Sequence, residues 1–331
     1  MWTDAMGDRA FLGMSHSPLM GLNPVPAQAG AELEAAIARV RDLVLAYAPD
    51  LIVLIAPDHY NGFFNRLMPP FCIGTQARAV GDYLSPAGLL RVDASLALEM
   101  ADALMDRGFD VAVSRRMEVD HGFAQPLQLL WGGLDTPPVV PVFVNAVAPP
   151  GIPRLFRCRE LGRAIGDFLD GVPRRVLLIG SGGLSHEPPV PTLDHPDPEV
   201  RERITVPREA TAGEREAKTR RVMAAGQALA AGEGTVKPLA PDWDRRWMDA
   251  LAGPAGSLDE LCAWPEDAIA REAGASAHES KTWLVARAAL TGRVEAPVFR
   301  YYRAIPEYIA GFGLMLMRQQ GPFIALPTNE R

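Results

Sequence analysis

The chain has 331 residues, 48% hydrophobic and 22% charged, with 33 Lys and Arg against 40 Asp and Glu. That composition belongs to an ordinary globular protein, long enough to bury a core without disulfides or a structural metal. Its formal charge of −7 excludes the basic footprint of a nucleic-acid binder and the polybasic patch of a membrane-surface protein.

The N-terminal stretch MWTDAMGDRA is acidic where a signal peptide would be basic, so no leader is predicted. Short apolar runs at 11–14, 51–56, 111–114, 139–144 and 176–179, bounded by turn residues, predict buried strands. Between them, 31–47, 94–107, 126–134 and 155–169 carry apolar residues at three- and four-residue spacing, which predicts amphipathic helices. Such alternation predicts an α/β fold with a central buried sheet flanked by helices. The charge-free stretch 136–153 is interrupted by prolines and predicts no membrane span. After about residue 187 the character changes to a stiff Pro-rich segment and a charged stretch. Helices are then predicted over 214–231, 242–251, 258–264 and 277–289. The last thirty-odd residues, with Tyr301, Tyr302, Tyr308 and Phe312, read as a cap returning onto the core. No repeat divides the chain, so one domain over 1–331, with a helical section at about 199–291 inside it, is the expected organisation. Cys72, Cys158 and Cys262 are scattered with no CxxC pair, which predicts reduced thiols and a cytoplasmic protein.

Histidine placement carries the chemical information. His16, His59 and His186 each follow a predicted strand almost directly, and His121 follows the 111–114 run by a few residues. In α/β proteins ligands bind beyond the carboxyl ends of the strands, so four imidazoles are expected at one edge of the sheet, where a metal or proton-transfer site would lie. Each has a plainer reading. His16 could cap a strand exit, Asp58 could orient His59 or serve a turn, and Tyr60, Phe63 and Phe64 could be core. Asp120 could hold the tautomer of His121 or N-cap the helix that follows. Around His186, glycines permit close backbone approach and prolines restrict the exit. That glycine cluster is neither a dinucleotide fingerprint, because Ser185 occupies the third glycine position, nor a serine-nucleophile elbow. His195 sits in a polar loop, and adjacent His278 and Glu279 cannot both face one site. Two histidines and a carboxylate would suit non-haem iron, but spacing alone does not pick the set.

These segments resemble a known family. Ser-His-Ser-Pro-Leu (15–19), Ala-Pro-Asp-His-Tyr-Asn-Gly-Phe-Phe (56–64), Met-Pro-Pro-Phe-Cys (68–72), Asp-His-Gly-Phe-Ala-Gln-Pro-Leu (120–127), Gly-Ser-Gly-Gly-Leu-Ser-His (180–186), His-Glu-x-Lys-Thr-Trp (278–283) and Arg-Tyr-Tyr-Arg-x-Ile-Pro-Glu (300–307) appear in order and resemble type III extradiol ring-cleavage dioxygenases. The resemblance implies Fe(II) held by His16, His59 and Glu279, with His121 as proton donor and His186 as proton acceptor. It further implies oxygen-dependent opening of 3-(2,3-dihydroxyphenyl)propanoate and 2,3-dihydroxycinnamate to a 2-hydroxy-6-oxo-dienedioate, in a homo-oligomer of phenylpropanoid catabolism. The alternatives are another substituted catechol, a metal-dependent hydrolase using zinc, or a non-catalytic binding protein on the same scaffold. The stretch through Asp8 is longer than the family pattern, which makes Met6 an alternative start. The pattern assigns no cation to a substrate carboxylate, and Arg116 and Arg303 are only candidates.

Overall fold

A computed structural model describes residues 8–208, 210–290 and 296–319, so Met6 lies outside the described residues. Its strands are β1 (Arg9–Met14), β2 (Leu51–Ala56), β3 (Phe71–Gly74), β4 (Ala77–Val80), β5 (Ala87–Leu89), β6 (Ala112–Ser114), β7 (Met117–Val119), β8 (Val139–Val144), β9 (Val176–Ser181), β10 (Phe299–Ile305) and β11 (Ala310–Arg318). Eight of them form one sheet in the order β10-β11-β1-β9-β2-β8-β3-β6, and β5-β4-β7 make a small second sheet. The centre, β1-β9-β2-β8, is parallel, while β11 joins β1 and β3 joins β8 antiparallel.

The central strands are buried at every position because helices cover both faces of the sheet. Alternate residues of each strand point to opposite layers. Phe11, Val53, Ile55, Val142 and Leu178 pack on one side with Leu161, Ile165 and Leu284. Leu12, Ile52, Leu54, Phe143 and Ile179 pack on the other with Leu33, Val40, Val44, Phe123 and Leu127. Burying one such side chain contributes about 1.5–3 kcal/mol relative to exposure. With neither face wet, the strands read as continuous apolar runs instead of alternating ones, which is why they are visible in the sequence.

The helices are α1 (Ala27–Tyr47), α2 (Ala94–Asp106), α3 (His121–Trp131), α4 (Leu155–Leu169), α5 (Pro198–Arg203), α6 (Ala212–Ala230), α7 (Pro241–Ala252), α8 (Ala255–Cys262), α9 (Glu266–Ala273) and α10 (Lys281–Ala288). The helix expected over 277–289 is instead a 3-10 turn, Ala275–Ser280, that leads into α10. The helix expected from Pro126 begins five residues earlier: Asp120 caps it by accepting the Gly122 N–H at 2.9 Å, and Pro126 lies in its interior. The expected C-terminal cap is a pair of strands. β11 sits inside the main sheet, paired residue for residue with β10 and with β1. Gly311 and Gly313 lower its strand propensity, and the main-chain pairing on both sides overrides that. Cys72 and Cys158 are buried, and all three cysteines are free thiols. No helix among the described residues is long and apolar enough to cross a membrane.

Candidate active site

The three neighbouring parallel strands β1, β9 and β2 end side by side, and just beyond their carboxyl ends stand His16, His186 and His59. His121 arrives from the small sheet, as the first residue of α3. Glu279 comes from the 3-10 turn, which is tied down onto the end of β9. The Thr282 hydroxyl donates to Ser181 O at 2.8 Å and the Trp283 indole to Gly182 O at 3.0 Å. This approach is close enough that a Cβ on Gly182 would stand 2.5 Å from Glu279 O, and one on Gly183 2.7 Å from the His186 ring. The glycines are therefore needed for contact between the loop and the site, not for phosphate binding.

Each of the four imidazoles has its Nδ1 committed to an acceptor. His59 Nδ1 lies 2.9 Å from Asp120 Oδ2, His121 Nδ1 2.6 Å from Asp82 Oδ2, and His186 Nδ1 2.9 Å from Leu184 O. His16 Nδ1 lies 2.9 Å from Ser181 Oγ, whose own hydrogen goes to Gly122 O at 2.6 Å, so the ring must be the donor. A carboxylate or carbonyl can only accept, so in every case Nδ1 carries the hydrogen and Nε2 is left to face the common centre. The Nε2 atoms of His59 and His186 are each 3.0 Å from Glu279 Oε1, and that of His16 is 3.4 Å from Oε2. His121 Nε2 is buried with no hydrogen-bond partner among the described residues. The rings are in contact, His59 stacked on His121 at 4.7 Å between centroids and His16 edge-on to both.

The electrostatics follow from this crowding. Burial pulls the His59 imidazole down, but Asp120 and Glu279 outweigh it and hold it well above its ordinary value. His186 is likewise raised against its burial by Glu279. His16 is pushed down to about 3 by burial, which Glu279 only partly offsets. Burial would raise the Glu279 carboxyl, yet His186 and His59 hold it well below the usual carboxylate range. Glu279 thus collects positive charge at the point where three Nε2 atoms meet, and a dication there would need those rings neutral, with their Nε2 lone pairs free. The donor set fits one: imidazole nitrogens of His16, His59 and His121 lie within 4.8 Å of one another, and Glu279 adds the anionic oxygen. Any two of these imidazoles with Glu279 would make a two-histidine, one-carboxylate set, which leaves open positions on a metal.

The supporting carboxylates differ from expectation. Asp120 does N-cap α3, but it orients His59, not His121. Its Oδ2 accepts from His59 N at 2.7 Å, His59 Nδ1, and Asn61 Nδ2 at 2.9 Å. Asp82, which no sequence feature singled out, takes His121, accepting both its Nδ1 and, at 2.8 Å, its backbone N–H. Asp82 is 39 residues away in sequence, in a turn after Gly81 at φ +76°, and only the neighbouring glycine hints at a specialised loop. Asp58 is a turn residue whose carboxylate accepts the N–H groups of Asn61, Gly62 and Phe63. Phe63 and Phe64 are buried, and Phe63 stacks on Phe143 in the core. Of the adjacent pair His278 and Glu279, only Glu279 reaches the centre, while His278 Nδ1 is buried with no hydrogen-bond partner among the described residues. His195 accepts the Asp197 N–H within its loop and stands apart from the site. Arg303 is paired with Glu32, and Arg116 is exposed beside Gln76, Arg78 and Glu118.

Comparison with known proteins covers most of the chain. The family described as the catalytic LigB subunit of aromatic ring-opening dioxygenase matches residues 10–313. A Comamonas testosteroni protein named 2,3-dihydroxyphenylpropionate/2,3-dihydroxicinnamic acid 1,2-dioxygenase is 65% identical over 316 residues, 95% of this chain and 98% of its own. Proteins of the same name from Mycolicibacterium vanbaalenii and a Rhodococcus species are 50% and 48% identical, covering 94% and 92% of this chain and 98% and 96% of theirs. Among solved structures, an uncharacterized protein of Escherichia coli K12 shares the fold with a TM-score of 0.53 and 12% identity, over 94% of this chain and 99% of its own.

Proposed function

We infer the reaction from the premise that this chain belongs to the LigB family of catalytic subunits of aromatic ring-opening dioxygenases. The reading is an extradiol dioxygenase that opens 3-(2,3-dihydroxyphenyl)propanoate and 2,3-dihydroxycinnamate, adding both atoms of O2 to give a 2-hydroxy-6-oxo-dienedioate. The relatives' names support the substrate. The observation that carries the chemistry is the convergence of His16, His59 and His186 Nε2 on Glu279 with His121 Nε2 unpartnered beside them.

In this reading His16, His59 and Glu279 would hold Fe(II), which would supply the redox chemistry between the catechol and O2. The remaining steps belong to side chains. His186, with Nδ1 fixed on Leu184 O, offers Nε2 as the base that accepts a catechol hydroxyl proton. His121, with Nδ1–H fixed on Asp82, would serve as the acid once Nε2 has also taken up a proton, delivering that proton to the oxygen departing during ring expansion. The stacked faces of His59 and His121 and the ring of Tyr83, edge-on to His121 at 5.2 Å between centroids, bound the side of the site where an aromatic substrate would lie. One domain over 1–331, a homo-oligomeric assembly and a cytoplasmic location complete the reading.

The test is protein reconstituted anaerobically with Fe(II), mixed with 3-(2,3-dihydroxyphenyl)propanoate, with oxygen uptake and the yellow ring-fission product followed together. Stoichiometric uptake with colour, faster than for unsubstituted catechol, is expected. Absence of uptake at one iron per chain, or equal activity with zinc in the absence of oxygen, would overturn the reading.

A further inference from the structure

The proposed substrates carry a side-chain carboxylate, and the centre just described contains no cation to meet it. A carboxylate brought to a half-buried site needs a partner to offset its lost hydration. The path outward from the centre is marked by contacts. His121 is buried, the half-buried Tyr83 ring stands edge-on to it at 5.2 Å, and the Lys218 ammonium of α6 lies 5.7 Å from the Tyr83 centroid. Tyr83 and Leu84 adopt φ of +44° and +64°, unfavourable for side-chain-bearing residues, so the loop is held in a conformation that sets this ring between His121 and α6.

Lys218 is distinguished by what it does not bind. Of the three lysines, Lys281 is held by Glu266 and Pro153 O, and Lys237 by the carbonyls of Ala270 and Arg271. Along α6, Glu214 is matched with Arg208, Glu216 with Arg220, and Arg215 with Ala210 O. Lys218 has no carboxylate partner among the described residues, and its aromatic contact keeps it half-buried beside the site. It shares its helix face with Val222 and Gly226, which α6 buries against Leu19, Asn23 and Glu307 O, so the helix has little freedom to carry it away. Arg221, one turn on, is exposed but close enough to lower the Tyr83 phenol that burial and Asp82 raise.

We propose that Lys218 is the residue that binds the side-chain carboxylate of the substrate, with Arg221 adding to the local positive potential, so that α6 selects carboxyalkyl catechols over uncharged ones. This rests on the ring-opening reading above. Losing one charge-assisted bond corresponds to roughly a 10- to 100-fold change in affinity.

The experiment compares Fe(II)-loaded wild type, Lys218→Met, Lys218→Arg and Arg221→Gln on 3-(2,3-dihydroxyphenyl)propanoate and on 3-propylcatechol, at low and high salt. Lys218→Met should raise KM for the propanoate about 10- to 100-fold while changing kcat little, and should change KM for propylcatechol far less. Lys218→Arg should recover most of the loss, Arg221→Gln should cost less than Lys218→Met, and high salt should narrow the gap between the two substrates. Anaerobic calorimetry of 3-phenylpropanoate, which has the carboxylate but no diol, should show binding weakened in Lys218→Met. An equal loss on both substrates, no loss on either, or a larger effect at Arg221 would overturn the assignment while leaving ring opening intact. A wild type that opens neither ring would overturn both.

Discussion

Asp120→Asn is the sharpest perturbation of the centre that leaves its proposed ligands in place. The carboxylate accepts four N–H groups: Gly122 N on Oδ1, and His59 N, His59 Nδ1 and Asn61 Nδ2 on Oδ2. An asparagine can place its carbonyl on only one side. If it faces His59, the bonds there fall from charged-acceptor strength, about 1.5–3 kcal/mol each, to about 0.5–1.5 kcal/mol. The amide NH2 then meets the Gly122 N–H, which removes a cap worth about 1 kcal/mol. If it faces Gly122, His59 Nδ1 loses its acceptor and the ring is free to present either nitrogen to the centre. Either way the loss is about 2–4 kcal/mol, shared between folding stability and the orientation of His59. Disturbing a carboxylate behind a histidine ligand lowers metal affinity about 10- to 100-fold. Differential scanning calorimetry of metal-free protein and competition of Fe(II) against a calibrated chelator measure the two parts. A variant with wild-type melting and a dissociation constant within about twofold of wild type would refute the role given to Asp120, because such a change is far below the expected loss.

Three other outcomes follow from the same geometry. His59→Ala should lose bound iron by metal analysis, whereas His121→Ala and His186→Ala should retain it and lose turnover; equal iron in all three would refute the division of roles. Tyr302→Phe removes one donor from the buried Asp244 carboxyl, which the Tyr302 hydroxyl contacts at 2.6 Å and Ser185 contacts through both N and Oγ. The expected cost is about 1–2 kcal/mol in a denaturant melt, and no change in the melt would remove this contact from the account. Asp93 is held below its ordinary value by Arg174 and by the Leu96 N–H at the start of α2. A depressed carboxyl adds stability above its unfolded value and loses it as pH falls through the folded one. The difference in stability between wild type and Asp93→Ala, about 1 kcal/mol at neutral pH, should therefore shrink on acidification, and a pH-independent difference would refute the assignment.

What the sequence discloses here depends on whether a signal is local. The runs at 51–56 and 139–144 match β2 and β8 end to end, and 155–169 matches α4, because each is apolar or amphipathic over its whole length. Strands β3, β4, β5 and β7 are three or four residues long, β5 carries exposed positions, and their pairing is supplied by segments distant in sequence. The start predicted for α3 at Pro126 rested on apolar spacing; the true start is set by Asp120, which the sequence offered as one of two readings of that carboxylate. Within the site, four histidines beyond strand ends were legible because topology places those ends together. Their carboxylate partners were not. Asp120 reaches 61 residues back to His59, and Asp82 reaches 39 forward to His121, and neither spacing leaves a trace in a linear reading. His278 and Glu279 could be separated only by the turn that aims one of them inward.

Pro126, which sits awkwardly inside α3, has an effect on a different element. Having no N–H, it leaves the carbonyl four residues back, that of Gly122, without its helical donor. That carbonyl receives the Ser181 hydroxyl from the end of β9 instead. A hydroxyl has a single hydrogen, so once it is given to Gly122 O, Ser181 can only accept from His16. The helix defect thus decides, two links away, which nitrogen of His16 is left bare. Strand β1, strand β9 and helix α3 are joined in one directional relay, in which a missing hydrogen at Pro126 fixes where a lone pair appears at the centre. Restoring the N–H with alanine would mend the helix and leave the direction of that relay undetermined.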